Sequence, residues 1–244
     1  MQCGGFLSTF QEGTQMNNRQ EAICVRALTK RFGQDMVLSN VNLSLEQEKI
    51  HGIIGRNGSG KTVLMKCICG FLRPESGGVT VFGKSIGKDC DFAPDTGMLI
   101  EIPGFLLHET GLNNLMWLAK LGKGATKQRV CALIEQVGLD SSLKKSVGKY
   151  SLGMRQRLGI AQALLDDPAL LILDEPMNGL DKNGVQDMRA LLLSLKAQGK
   201  TIVLASHFKQ DIDELCDTVC EMDQGILIQI KQQRNGIDGT GTIS

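Results

Sequence analysis

Eight residues, GRNGSGKT at 55–62, constrain this chain more than any others. They match G-x-x-x-x-G-K-[ST], a turn whose backbone N–H groups wrap an anion. The flanks agree: KIHGII (49–54) reads as a strand and VLMKCICGFL (63–72) as an apolar-rich helix. Gly55, Gly58 and Gly60 let the loop curl without Cβ clashes, and Arg56, Asn57 and Ser59 supply its remaining N–H groups. The helix that follows adds partial positive charge at its N-terminus. Lys61 is placed to reach terminal phosphates, and the Thr62 hydroxyl to meet Mg²⁺. The pattern predicts a nucleoside triphosphate site on a strand–turn–helix unit.

Such a unit needs a covered parallel sheet, and the rest of the chain is patterned to supply one. ALLILD (169–174) and TIVLAS (201–206) are apolar runs of strand length. Helical period fills about 185–197, and a further helix is expected over about 209–216. AICVRAL (22–28), VNLSLE (41–46), GVTVFG (78–83) and GMLI (97–100) read as strands, and a final strand pair falls around 218–230. Between about 110 and 165 the period is helical throughout, which predicts a helical lobe inserted in a strand–helix core. LLILDEP (170–176) carries two acids at its carboxyl end, where open α/β sheets hold their ligands. Asp174 suits Mg²⁺ there, and Glu175 suits a general base for the attacking water.

Bulk properties narrow the partners. A chain of 244 residues suits one large domain or a core with a sub-lobe. Its net charge of +1 makes no demand for nucleic acid, and none is expected. No apolar run reaches the roughly eighteen residues of a membrane span, and no signal peptide is visible, so a cytoplasmic setting is expected. The eight cysteines lack zinc-ligand spacing and read as small buried hydrophobes. Residues 1–20 read as a disordered leader, 21–231 as the organised domain and 232–244 as a flexible tail.

With these motifs stand four more. YSLGMRQR (150–157) is similar to the signature LSGGQ-R-Q-R, NGLD (178–181) to a D-loop, and LASH (204–207) to a switch-histidine segment. Phe32, in LTKRFG, is an aromatic at a position similar to that of the adenine-stacking residue in the family these motifs resemble. Over about 23–229 the chain resembles the nucleotide-binding subunits of ABC transporters. That resemblance implies an α/β fold: a P-loop NTPase (RecA-like) core with a parallel sheet, an antiparallel β subdomain and an inserted helical subdomain at about 102–165. It implies that two such domains close head to tail over two ATP molecules with Mg²⁺. Ser151 and the backbone around Gly153 would then bind the γ-phosphate held by the partner domain. His207 would bond the γ-phosphate in its own domain, and Asp181 would cross the interface. The implied partners are a second nucleotide-binding domain, identical or paralogous, and an integral membrane permease. The chain would then be peripheral on the inner face of the cell membrane, docked through Pro103, Phe105, Leu106 and Leu107.

Two departures from the family pattern refine the expectation. GMLIEIP puts Glu101 where most members carry a glutamine, and a carboxylate there is expected to contribute to metal binding. Leu152 and Met154 replace a glycine and a glutamine of the signature. The I-E-x-P form and ASHFKQDIDELCD resemble the subunits that expel bacitracin-like and lantibiotic peptides. The expected function is an ATPase that powers export of a drug or antimicrobial peptide. The alternative is a soluble ABC ATPase acting on a cytosolic assembly, such as iron–sulfur cluster biogenesis.

Overall fold

Two twelve-residue strands, β1 (Glu21–Phe32) and β2 (Asp35–Glu46), form a hairpin that pairs Phe32 with Asp35. Both run further than the alternation of 22–28 and 41–46 predicts. Several register shifts interrupt the period-2 pattern while the ladder continues past them. In this computed structural model, residues 20–101, 104–207 and 209–232 are described. Apart from residues 20 and 232, the expected leader and tail lie outside the described residues, as does Pro103.

After β3 (Ile50–Ile54), the glycine loop enters α1 (Lys61–Cys69), which stops at Gly70, short of the expected Leu72. β4 (Ser76–Val81) and β5 (Lys84–Ser85) complete an antiparallel sheet of order β2-β1-β4-β5. There follow β6 (Thr96–Leu99), α2 (Gly111–Leu121), α3 (Lys127–Gln136), a 3-10 turn at Val147–Lys149 and α4 (Leu152–Ala163). The series closes with β7 (Leu170–Asp174), α5 (Lys182–Ala197), β8 (Thr201–Ala205), α6 (Lys209–Leu215), β9 (Thr218–Asp223) and β10 (Ile226–Gln232). Side-chain oxygens of Thr110, Thr126, Ser151 and Asp181 cap α2, α3, α4 and α5 by accepting from backbone N–H groups three residues on.

The second sheet has the order β10-β9-β3-β8-β7-β6 and is parallel except for the β9–β10 hairpin. Its central strands are apolar on both faces, as strand geometry requires of a sheet covered on two sides. Ile53, Leu170, Ile172 and Val203 face a core shared with α1 and the antiparallel sheet. Ile50, Leu171, Leu173, Ile202 and Leu204 face a second core with α5, α6 and the helical segment. Within the helical stretch expected at about 102–165, α2, α3 and α4 share Leu115, Val130, Leu133 and Leu158. α4 also packs on β6, so it belongs to the lobe and to the sheet at once.

Candidate functional site

β3, β7 and β8 are adjacent and parallel, so their carboxyl ends meet at one edge, and each hands over chemistry there. β3 leads into the glycine loop, β7 ends at Asp174 and Glu175, and β8 leads to His207. A cavity of about 290 Å³ lies between them, lined by residues 57–63 with Val37, Asp174 and Glu175.

Lys61 is buried, and its Nζ donates to the carbonyls of Gly55 at 2.7 Å and Arg56 at 3.2 Å. The Thr62 hydroxyl donates to Asp174 Oδ2 at 2.6 Å. Burial raises the Asp174 carboxyl above the usual carboxylate range, and the Thr62 hydrogen bond opposes that shift. Glu175 sits at φ +51°, a left-handed conformation uncommon outside glycine. Its N–H donates to Ala205 O at 2.9 Å, and its Oε2 lies 2.8 Å from His207 Nδ1. Its Oε1 is buried without a hydrogen-bond partner, as is the Ser59 hydroxyl in the loop. Buried polar atoms are normally partnered, so these two are the atoms at which a ligand or water is expected.

The loop is braced from a distance. Gly225, in the β9–β10 turn, donates its N–H to Ser59 O and accepts from Ser39 N–H, each at 2.9 Å. It sits at φ +79°, and a Cβ there would lie 2.4 Å from Val37 O, so only glycine fits. The sequence offers no sign of this beyond a turn glycine. Phe32 lies exposed at the tip of the β1–β2 hairpin with Lys30 Nζ 5.3 Å from its ring centre, while Val37 of the same hairpin reaches the cavity wall.

Ser151, Gly153 and Asp181 form a separate cluster. Ser151 Oγ accepts from Met154 N–H at 3.2 Å, and Asp181 Oδ1 accepts from Gly184 N–H at 2.8 Å. Gly153 packs against Gly179 and Leu180. This cluster joins the cavity residues through Gln156, whose Nε2 donates to Glu175 O at 2.9 Å. The sequence reading missed Gln156, which appears there only as one letter of the signature.

Glu101 follows the end of β6, as the sequence reading has it. Its Oε1 pairs with Lys66 Nζ at 2.6 Å, one helical turn beyond Thr62, and its charge is felt at Asp174. In the expected docking patch Leu106 and Leu107 are exposed but Phe105 is core. Burial pushes the Cys67 and Cys220 thiols up to about 11 and those of Cys69 and Cys216 to about 12, so they behave as inert hydrophobes. Among the described residues no cluster of His, Cys, Asp or Glu could hold a metal by itself, and no helix is long and apolar enough to cross a membrane.

Fold and site together define a P-loop nucleoside triphosphatase with an inserted helical segment. The ABC transporter family matches residues 38–178, and the chain belongs to that family as an ATP-binding, ATP-hydrolysing subunit. It is 40% identical over 200 residues to an uncharacterized ABC transporter ATP-binding protein, YybJ of Bacillus subtilis (strain 168), covering 82% of this chain and 92% of the relative. With the bacitracin transport ATP-binding protein BcrA of Enterococcus faecalis it shares 41% over 204 residues, covering 83% of this chain but 66% of that longer relative. With the lantibiotic transport ATP-binding protein SrtF of Streptococcus pyogenes it shares 34% over 208 residues, covering 85% and 90%. Among solved structures, the dimeric bacterial ABC transporter cassette MJ0796 superposes with a TM-score of 0.79 at 22% identity, covering 86% of this chain and 99% of that one. A nucleotide-free cassette from an ABC transporter gives 0.76 at 24%, covering 87% and 92%. These last two likenesses speak for the fold.

Proposed function

We propose that this chain hydrolyses ATP to power export of a drug or antimicrobial peptide, of the bacitracin or lantibiotic kind, through a separate membrane permease. One observation carries the chemistry: Lys61, Thr62, Asp174, Glu175 and His207 meet at one sheet edge around an unpartnered carboxylate oxygen. The substrate class rests on the 34–41% identity to subunits named for bacitracin and lantibiotic transport, and on the I-E-x-P segment at 100–103. These relatives are transport subunits, which favours a permease over a cytosolic assembly. The chain then works peripherally on the cytoplasmic face of the membrane, with Leu106 and Leu107 toward the permease.

The phosphates of ATP lie over residues 55–60, held by N–H groups and the α1 N-terminus, with the adenine against Phe32. The Lys61 ammonium exchanges the carbonyls of Gly55 and Arg56 for phosphate oxygens. Thr62 and Asp174 present hard oxygen ligands already side by side, which suits Mg²⁺. The ion supplies charge neutralisation on the phosphate oxygens. Glu101, whose Oε1 is held by Lys66, is the further acid assigned to the metal.

Glu175 Oε1 accepts a proton from water as that water's oxygen bonds the γ-phosphorus and the bond to the β–γ bridging oxygen breaks, leaving ADP and phosphate. His207 holds Oε2 and so keeps Oε1 turned to the water. A second nucleotide-binding domain brings its Ser151 and Gly153 to the same γ-phosphate, and Asp181 links the two sites.

A tagged Glu175→Gln form, isolated with ATP from detergent-solubilised native membranes, tests the reading. It is expected to bring a multi-span protein in near-equal amount, and cells lacking the chain should become sensitive to bacitracin or a lantibiotic. A soluble assembly in place of that protein would overturn export and leave the ATPase chemistry standing.

A further inference from the structure

The signature helix touches the catalytic strand end at a point that the roles above do not use. Gln156 Nε2 donates to the Glu175 carbonyl at 2.9 Å, and the same carbonyl accepts from Asn178 N–H at 3.0 Å. The Glu175 N–H is taken by Ala205 O. Both backbone polar groups of Glu175 are therefore fixed, in a left-handed conformation that persists only where the surroundings hold it. Relaxing that φ would swing the Cα–Cβ bond and carry the carboxylate away from His207 and the cavity.

One turn earlier on α4, Leu152 lies directly on Gly179. A Cβ at 179 would stand 2.5 Å from Leu152 Cγ, and one at 153 would stand 2.6 Å from Gly179 O. The helix thus grips the segment 175–179 at both ends. A glycine at 152, as in the usual signature, has no side chain with which to make the second contact.

We propose that Gln156 is a positioning residue for hydrolysis: from α4 it holds the Glu175 backbone in the conformation that aims the carboxylate at water, while Leu152 seals the same segment at Gly179. The inference rests on Glu175 as general base. It makes the helix that begins at Ser151 continuous with the base of its own site, so a shift of that helix is felt at Glu175 without passing through solvent.

The experiment is a double-mutant cycle on the full chain, reading phosphate release and the affinity for a fluorescent ATP analogue with Mg²⁺. Gln156→Leu is expected to lower kcat on the order of 10- to 100-fold, since small misplacements of a reacting group have effects of that size. KM and nucleotide affinity should stay within about twofold. Gln156→Glu keeps the shape but offers only acceptors at neutral pH, and should lose activity similarly; it serves where the leucine form does not fold. Acting through Glu175, Gln156→Leu should add no further loss in a Glu175→Gln background. Multiplying losses, a wild-type rate, or weakened nucleotide binding in place of slowed turnover would overturn the proposal. A wild-type chain without hydrolysis, or one indifferent to Glu175→Gln, would overturn the underlying reading of Glu175 and this inference with it.

Discussion

His207 Nδ1 stands 2.8 Å from Glu175 Oε2, and the other oxygen of that carboxylate is buried with no partner. On the proposed mechanism the two oxygens have different work: one is held, the other accepts. His207→Ala should slow phosphate release on the order of 100-fold, the scale of one misoriented acid–base group, while ATP still binds. Rapid-quench turnover beside an equilibrium nucleotide titration checks this. Full activity in the alanine form would mean that Glu175 orients itself.

Ionising Asp174 costs the fold stability. Burial raises its carboxyl above the usual 3.8, so the folded chain keeps the proton to higher pH than the unfolded chain does. Its contribution to stability is therefore greatest at low pH and falls as pH rises through the folded value. Asp174→Asn should raise the melting temperature of the nucleotide-free protein and lower Mg²⁺-dependent turnover about 100-fold or more. A lower melting point would contradict the burial argument.

Histidine 51 has the opposite dependence. Its Nε2 lies 2.7 Å from Glu46 O, a pure acceptor, so Nε2 carries the proton and Nδ1 accepts from the Thr218 hydroxyl at 2.6 Å. Burial lowers its pKa below 6.5, so the unfolded chain takes up the proton first as pH falls. Stability is then complete above about 6.5 and lost below it. Urea unfolding at pH 7.5 and 5.5, as working points about one unit either side of that value, should show the difference. His51→Leu should flatten it at a cost of about 1–3 kcal/mol for the stranded hydroxyl and carbonyl.

Arg189 and Asp211 tie α5 to α6 from inside. The guanidinium donates to Asp211 Oδ1 from Nη2 at 2.6 Å and from Nε at 3.1 Å, with both residues almost wholly buried, and it also bonds Glu214. Asp211→Ala should destabilise the chain by about 3 kcal/mol, because a buried charge loses its main partner. Joint replacement, Arg189→Met with Asp211→Leu, should recover most of that stability in chemical denaturation. No recovery in the double variant would contradict the view that the unpaired buried charge is what costs stability.

Glu101 offers the mildest change. Its ion pair with Lys66 is largely exposed, 60% on the glutamate side, so Glu101→Gln should alter stability by less than about 1 kcal/mol. Hydrolysis should survive. Loss of nucleotide binding in that form would show that the carboxylate is required at the metal.

The phosphate loop was legible because its chemistry is local: a strand, eight residues and a helix specify it without help from elsewhere. Asp174 and Glu175 were legible for a related reason, since four apolar residues running into two acids mark the end of a covered strand. The full extent of β1 and β2 was not, because register shifts break the alternation. Phe105, Leu106 and Leu107 look alike in a linear pattern, and only packing separates the first as core from the exposed pair. Gln156 and Gly225 act through contacts between distant segments, which no local window reports.

The bond from Gly225 to Ser59 has a consequence for biosynthesis. In the order of synthesis the phosphate loop precedes its brace by more than 160 residues. β3 waits likewise for β8 and β9, the strands that flank it. During synthesis the loop therefore stays without this brace, and β3 without its two neighbours, until those later segments have been translated.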